Sequence, residues 1–178
     1  MMCKDLIPFA HAINIYDVDI NFFKKLNLQY LFLDLDNTLD SYRQLFPTEK
    51  AKKFIEDIKN LGITPMIISN NKGKRVKGYA DSLGIRCLSS TGKPFPFKLN
   101  KLIKELGADK ERVMLVGDQM VTDIRCGNHA KIKTLLVDKL VKEDQWTTRF
   151  NRILERPFRK HAVKKGKLTN WRIIYGKD

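Results

Sequence analysis

With 178 residues, the chain is long enough to bury one sizeable core and short for two domains. Its 43% hydrophobic and 30% charged residues exclude a disordered or fibrous protein. Thirty-four Lys and Arg against twenty Asp and Glu leave a net charge of +14, which favours a polyanionic partner (nucleic acid, anionic membrane or phosphorylated substrate) without choosing among them.

The first apolar run, Tyr30–Leu35, ends at a carboxylate cluster. Thr48 is placed to N-cap a helix through Phe54, Ile55, Ile58 and Leu61, with Gly62 just beyond it. A second run, Ile63–Ser69, ends at Ser69-Asn70-Asn71, and a weaker one covers Ile85–Leu88. Phe97–Leu106 carries Leu99, Leu102, Ile103 and Leu106 on one helical stripe closed by Gly107. Val113–Gly117 stops at Asp118, Thr122–Ala130 reads as a short helix capped by its own threonine, and Lys133–Val137 is a last strand. Bulky runs that do not alternate with polar residues suit strands covered on both faces. Strands alternating with helices predict an α/β fold with a doubly wound, mainly parallel sheet, which binds ligands beyond the carboxyl ends of its strands.

From Lys139 onward the chain holds 12 Lys and Arg against 4 Asp and Glu, with Trp146, Phe150, Phe158, Trp171 and Tyr175 interleaved. Trp146, Phe150, Ile153 and Leu154 share one helical face, in a helix expected to end at Pro157. The reading is a core over residues 1–138, N-terminal extension included, and a basic, partly helical segment over 139–178 packed on the same domain. That segment is either a helix against the sheet or a surface for an anionic partner, membrane or RNA. Cys3, Cys87 and Cys126 lack paired metal spacing and read as reduced thiols; His11, His129 and His161 form no zinc-ligand cluster. No uncharged apolar run approaches the ~18–20 residues that span a bilayer. The opening residues meet Pro8 without a signal-peptide core. The expected location is the cytoplasm, soluble or peripheral at the inner face of the membrane.

In Asp34-Leu35-Asp36-Asn37-Thr38, strand alternation points Asp34 and Asp36 the same way. Two carboxylates side by side repel, and a cation beside them relieves the repulsion. Such a pair can divide labour, one attacking phosphorus and the other moving a proton to the leaving group and from water. Taken alone, the string is also what a solvated turn after a strand looks like. Downstream, Ser69 and Asn70 can hold a phosphoryl oxygen through a hydroxyl and backbone amides. Lys93, beside Pro94, can neutralise charge on the nucleophile and phosphoryl group. Asp118 at a strand end and Asp123 in the next helix's first turn can hold a metal, and Mg²⁺ suits so few protein oxygens.

In this order, each at a strand end, these four motifs resemble those of the haloacid dehalogenase (HAD) superfamily of phosphatases. DLDNTL, GDQMVTD followed by Gly127-Asn128, Leu6-Ile7-Pro8, Tyr16-Asp17-Val18-Asp19 and Asn151-Arg152-Ile153-Leu154-Glu155 are similar to the YqeG family. That is a subclass IIIA branch related to phosphatidylglycerophosphate phosphatases. The resemblance implies Asp34 as nucleophile and Asp36 as acid/base. It implies Ser69, Asn70 and Lys93 as phosphate-binding residues, and Asp34, Asp36 (through its backbone carbonyl), Asp118 and Asp123 as holders of Mg²⁺. Thr38 would steady the nucleophile loop. Only 35 positions separate Asp34 from Ser69 and 24 separate Ser69 from Lys93, which leaves no room for a cap domain. An open site suits a phosphate carried on something large: a protein, a nucleic-acid end or a membrane lipid. The resemblance tips this toward phosphatidylglycerophosphate. The competing expectation is an accessory RNA- or ribosome-binding protein that retains the fold.

Overall fold

The computed structural model describes residues 4–140 and 146–176, and of residues 146–152 and Leu154 it describes the backbone only. Six strands form one parallel sheet: β1 (Ala10–Ala12), β2 (Tyr30–Leu33), β3 (Thr64–Ile68), β4 (Arg86–Leu88), β5 (Val113–Gly117) and β6 (Lys133–Val137). Their spatial order is β1-β6-β5-β2-β3-β4. The helices are α1 (Ile20–Lys25), α2 (Glu49–Asn60), α3 (Lys74–Ser82), α4 (Phe97–Glu105), α5 (Arg125–Ala130), α6 (Trp146–Lys164) and α7 (Trp171–Tyr175).

Side chains leave a strand on alternate faces, so each apolar run feeds two cores. Leu31 and Leu33 of β2, Ile67 of β3, and Met114 and Val116 of β5 join Phe22 and Phe23 of α1. Phe54, Ile55 and Ile58 of α2, Val76 and Tyr79 of α3, and Trp171 of α7 complete that cluster. Phe32, Met66, Ile68 and Leu115 face the other way, against Leu99, Leu102 and Ile103 of α4 and Cys126 and Ala130 of α5. Both faces of the sheet are covered, which is why these strands are apolar without alternation. The connections from β2 to β3 and from β3 to β4 hold α2 and α3 and no inserted domain.

Two local expectations are corrected. Thr122 does not cap a helix: Met120–Ile124 forms a π-helical turn that runs directly into α5. Hydrophobic period cannot distinguish that wider turn from an α-helical one. Helix α6 does not stop at Pro157 but continues to Lys164. Pro157 is exposed there, so the carbonyl left without its N–H partner can be hydrated. Trp171, which the sequence left open between a surface and the core, is buried, with its ring 5.7 Å from that of Phe22. Of the expected apolar face of α6 (Trp146, Phe150, Ile153 and Leu154), Ile153 is exposed and the other three lie outside the described side chains. Among the described residues, no helix is long and apolar enough to cross a membrane.

Candidate active site

The chain leaves β2 for β3 and β4 on one side and returns to β5 and β6 on the other, so the β2/β5 boundary is the sheet's topological switch point. Leu33 pairs with Val116, and the Asp34 N–H donates to the Val116 carbonyl at 2.9 Å. This register sets Asp34, just past β2, beside Gly117 and Asp118 at the end of β5. The Asp123 carboxylate folds back from the π turn; its Oδ2 accepts from the Gln119 backbone N–H at 3.1 Å. Ligand oxygens of Asp34, Asp118 and Asp123 lie within 4.8 Å of one another, and all three residues are buried.

Lys93 reaches into this cluster from the loop after β4. Its Nζ donates to Asp34 Oδ1 at 2.7 Å, Asp123 Oδ1 at 2.6 Å and the Ile68 carbonyl at 2.9 Å. Asn70 fixes that loop: its Oδ1 accepts from the Lys93 N–H at 2.8 Å and the Thr91 hydroxyl at 2.7 Å, and its Nδ2 donates to the Lys93 carbonyl at 2.9 Å. The Asn70 side chain is therefore engaged in holding Lys93, and what it presents to a ligand is backbone. Ser69 is buried at the end of β3, where its Oγ accepts from the Asn71 N–H at 3.1 Å.

The Asp36 carboxylate stands apart from the three-carboxylate cluster. Its Oδ1 accepts from Arg75 Nη2 at 2.6 Å and its Oδ2 from Asn71 Nδ2. Any share Asp36 takes in holding a cation falls to its backbone carbonyl. Arg75, whose Nε also donates to the Gln44 carbonyl at 3.3 Å, was not legible as a site residue. In sequence it is one basic residue among many, 39 positions from its partner.

Burial disfavours the Lys93 ammonium, but the Asp123 and Asp34 carboxylates and their hydrogen bonds outweigh it and hold its pKa above the ordinary lysine value. Burial pushes the Asp34 carboxyl well up; Lys93 opposes this, while Asp123, Asp118 and Asp36 add to it. The cluster is thus short of positive charge with Lys93 alone. Its donors are hard carboxylate oxygens, the set that Mg²⁺ takes, so the residues present fit a divalent cation.

Over 93% of its length the chain is 32% identical to "Probable phosphatase YqeG" of Bacillus subtilis, covering 96% of that protein. The chain belongs to the YqeG family of HAD phosphatases. A family model described as HAD-hydrolase-like matches residues 90–157. A 72-residue stretch is 44% identical to a copper-transporting ATPase of Helicobacter pylori, over 40% of this chain and 9% of that one. Among solved structures, the cobalt-bound deoxy-D-mannose-octulosonate 8-phosphate phosphatase of Haemophilus influenzae superposes with a TM-score of 0.52 at 17% identity. That match covers 64% of this chain and 70% of that one, and shows the shared fold.

Two further residues of this YqeG-family chain have roles that their spacing did not reveal. Asn128 Nδ2 donates to the Asp5 and Ile7 carbonyls at 2.8 and 2.9 Å, tying the N-terminal segment to α5. Asp40, six residues past Asp34, accepts from the Thr48 N–H and hydroxyl, both at 2.9 Å, and from Tyr79 Oη at 2.5 Å. It closes the loop after β2 against α2 and α3.

Proposed function

We propose that this phosphatase hydrolyses a phosphomonoester through an aspartyl-phosphate on Asp34, acts on a large or membrane-presented substrate, foremost phosphatidylglycerophosphate, and takes Mg²⁺ as its cation. The observation that carries the mechanism is the Lys93 ammonium bridging Asp34 and Asp123 beside Asp118. An Asp34 oxygen attacks phosphorus in line, and the ester oxygen leaves with a proton from Asp36. Asp36 then takes a proton from water, whose oxygen attacks the same phosphorus. The bond from phosphorus to Asp34 breaks, releasing inorganic phosphate and restoring the carboxylate. Ser69 Oγ and the Asn70 backbone N–H bind phosphoryl oxygens, and Lys93 balances their charge in a site where it is already fixed. Mg²⁺ would be held by Asp34, Asp118, Asp123 and the Asp36 carbonyl, and would supply the positive charge the carboxylates lack. Asp36 starts clamped by Arg75 and Asn71, so proton transfer requires that clamp to loosen as substrate enters.

The absence of an inserted domain between β2 and β4 supports a bulky substrate, because nothing in those connections encloses a small one. The basic C-terminal segment supports an anionic partner. On α6, Arg159 pairs with Asp138 and Ala162 is buried, while Arg156, Lys160, Val163 and Lys164 line an open cavity of about 550 Å³. The Haemophilus relative acts, by its name, on a small sugar phosphate. Phosphate release should therefore be compared across phosphatidylglycerophosphate, a sugar 8-phosphate, phosphopeptides, nucleotides and end-phosphorylated oligonucleotides. The lipid should be preferred by at least ten-fold in kcat/KM, and folded Asp34→Asn should release nothing from any of them. Preference for a small sugar phosphate would overturn the substrate assignment, and turnover by Asp34→Asn the mechanism.

A further inference from the structure

Beyond the carboxylates of the site itself, the connections that leave the carboxyl ends of β2, β3 and β4 share an unusual composition. Residues 41–48, 69–78 and 89–98 contain no Asp or Glu but seven Lys or Arg. Two of these segments also carry bulky apolar side chains in the open: Leu45 is 63% exposed, Phe46 72%, Phe95 64% and Phe97 76%. Their place relative to the chemistry is fixed by short links. The backbone of Gln44, next to Leu45, accepts from Arg75, whose guanidinium holds Asp36. Phe95 lies two residues past Lys93, and its N–H donates to the Gly92 carbonyl at 3.0 Å. The rings of Phe95 and Phe97 are stacked at 6.5 Å and face outward together.

Scattered exposed apolar residues are ordinary, but four on two loops flanking one site, in segments whose charged side chains are all basic, are not. Arg43, Lys72, Lys74 and Lys98 on the same segments are exposed. We infer that this rim is a bilayer-docking surface: Leu45, Phe46, Phe95 and Phe97 enter the headgroup–acyl boundary of an anionic membrane while the surrounding bases bind lipid phosphates, which seats the open site on the membrane plane. The inference rests on the lipid-substrate reading and adds to it the face by which lipid is met. Two forces act on such a rim. Basic side chains near an anionic leaflet contribute about 1 kcal/mol each and are screened by salt. Buried apolar area contributes without screening. The rim combines both at the mouth of the site; the described part of α6 likewise exposes Ile153, Phe158 and Val163 beside Arg156, Lys160 and Lys164.

The test uses full-length protein and sucrose-loaded vesicles of phosphatidylcholine with 40% phosphatidylglycerol (about two lipids in five, enough for a strong surface potential), with no substrate present. Wild type should co-sediment, and part of that binding should survive 0.5 M NaCl (about a 4–5 Å screening length). The variant Leu45→Ser/Phe46→Ser/Phe95→Ser/Phe97→Ser should bind at least ten-fold more weakly at low salt and not detectably at high salt. Its turnover of a soluble aryl phosphate should match wild type, which also shows that it is folded. The charge variant Arg156→Gln/Lys160→Gln/Lys164→Gln should weaken low-salt binding yet keep the salt-resistant fraction. Equal binding by wild type and the serine variant would overturn the inference, as would failure of wild type to bind these vesicles. Preferential wild-type binding to a single-stranded oligonucleotide, lost in the serine variant, would also overturn it and make the rim a base-stacking platform. Because the vesicles carry no substrate, failure here leaves the phosphatase reading standing. Failure to hydrolyse phosphatidylglycerophosphate in detergent micelles would strike the lipid-substrate reading, with the vesicle result still deciding the docking face.

Discussion

A methyl group on Gly117 would lie 2.3 Å from Asp123 Cγ and 2.5 Å from its Oδ2. The strand that delivers Asp118 can end here only in glycine, because the folded-back carboxylate rests on the backbone. Gly117→Ala is expected to push Asp123 off Lys93 while leaving the core strands packed. Misplacement of about 1 Å near the reacting groups can cost ~10²-fold in rate. Turnover should fall by that order, and the rise in Tm on adding Mg²⁺ should shrink. Wild-type turnover and an undiminished Mg²⁺ shift would show that Asp123 has no part in the site. The carboxylates, Ser69 and Lys93 were legible because each follows an apolar run or stands beside a proline. The use of Asn70 to pin the Lys93 loop, and of Arg75 and Asn71 to hold Asp36, was not. Those contacts join residues more than twenty positions apart, and nothing local in the sequence marks the partner.

At the scale of elements, Asp40 joins the loop after β2 to the N-terminus of α2 through Thr48 and to α3 through Tyr79. Tyr16, after β1, donates to the Leu39 carbonyl of the same loop. Burial, then the bond to Asp40, raises the Tyr79 phenol above its ordinary value; burial, then the Asp40 charge, raises Tyr16. Both favour the neutral phenol in the fold, so their stabilisation is complete below the unfolded value of about 10. It is lost as pH climbs from there through the folded values. Of the five tyrosines, Tyr16 and Tyr79 should therefore remain un-ionised in native protein at pH 11, ionising only with unfolding, as read by absorbance at 295 nm. The urea midpoint should fall as pH rises above about 10. Five phenols titrating together in folded protein would contradict the arrangement. Tyr79→Phe should cost about 1.5–3 kcal/mol, the loss of a hydrogen bond to a charged group. The long apolar strands and α2 were readable because period and capping agreed. Three-residue β1 and six-residue α1 offered too few positions to show a period, and they rest on contacts with β6 and α7.

Across the whole molecule, the carboxyl ends of the strands gather the candidate residues: Asp34 after β2, Ser69 after β3, Lys93 after β4, and Asp118 with Asp123 after β5. Parallel strands with short crossovers make this arrangement, and the sequence shows it as polar residues closing each apolar run. Which of the exposed surfaces meets a partner was less legible. The charge of the last forty residues drew attention to the C-terminal segment, although part of its aromatic content belongs to the core through Trp171 and Tyr175. The acid-free rim with its outward phenylalanines became apparent only once folding had brought three distant segments together. The central claim, that Asp34 carries the phosphoryl group, is tested most directly by quenching the enzyme in acid during turnover, reducing with borohydride, and locating the product by mass spectrometry. An aspartyl-phosphate at Asp34 should appear as homoserine at that position, in amounts that follow the steady-state intermediate and vanish when substrate is omitted. Reduction at another carboxylate, or none during active turnover with a slow dephosphorylation step, would contradict the account.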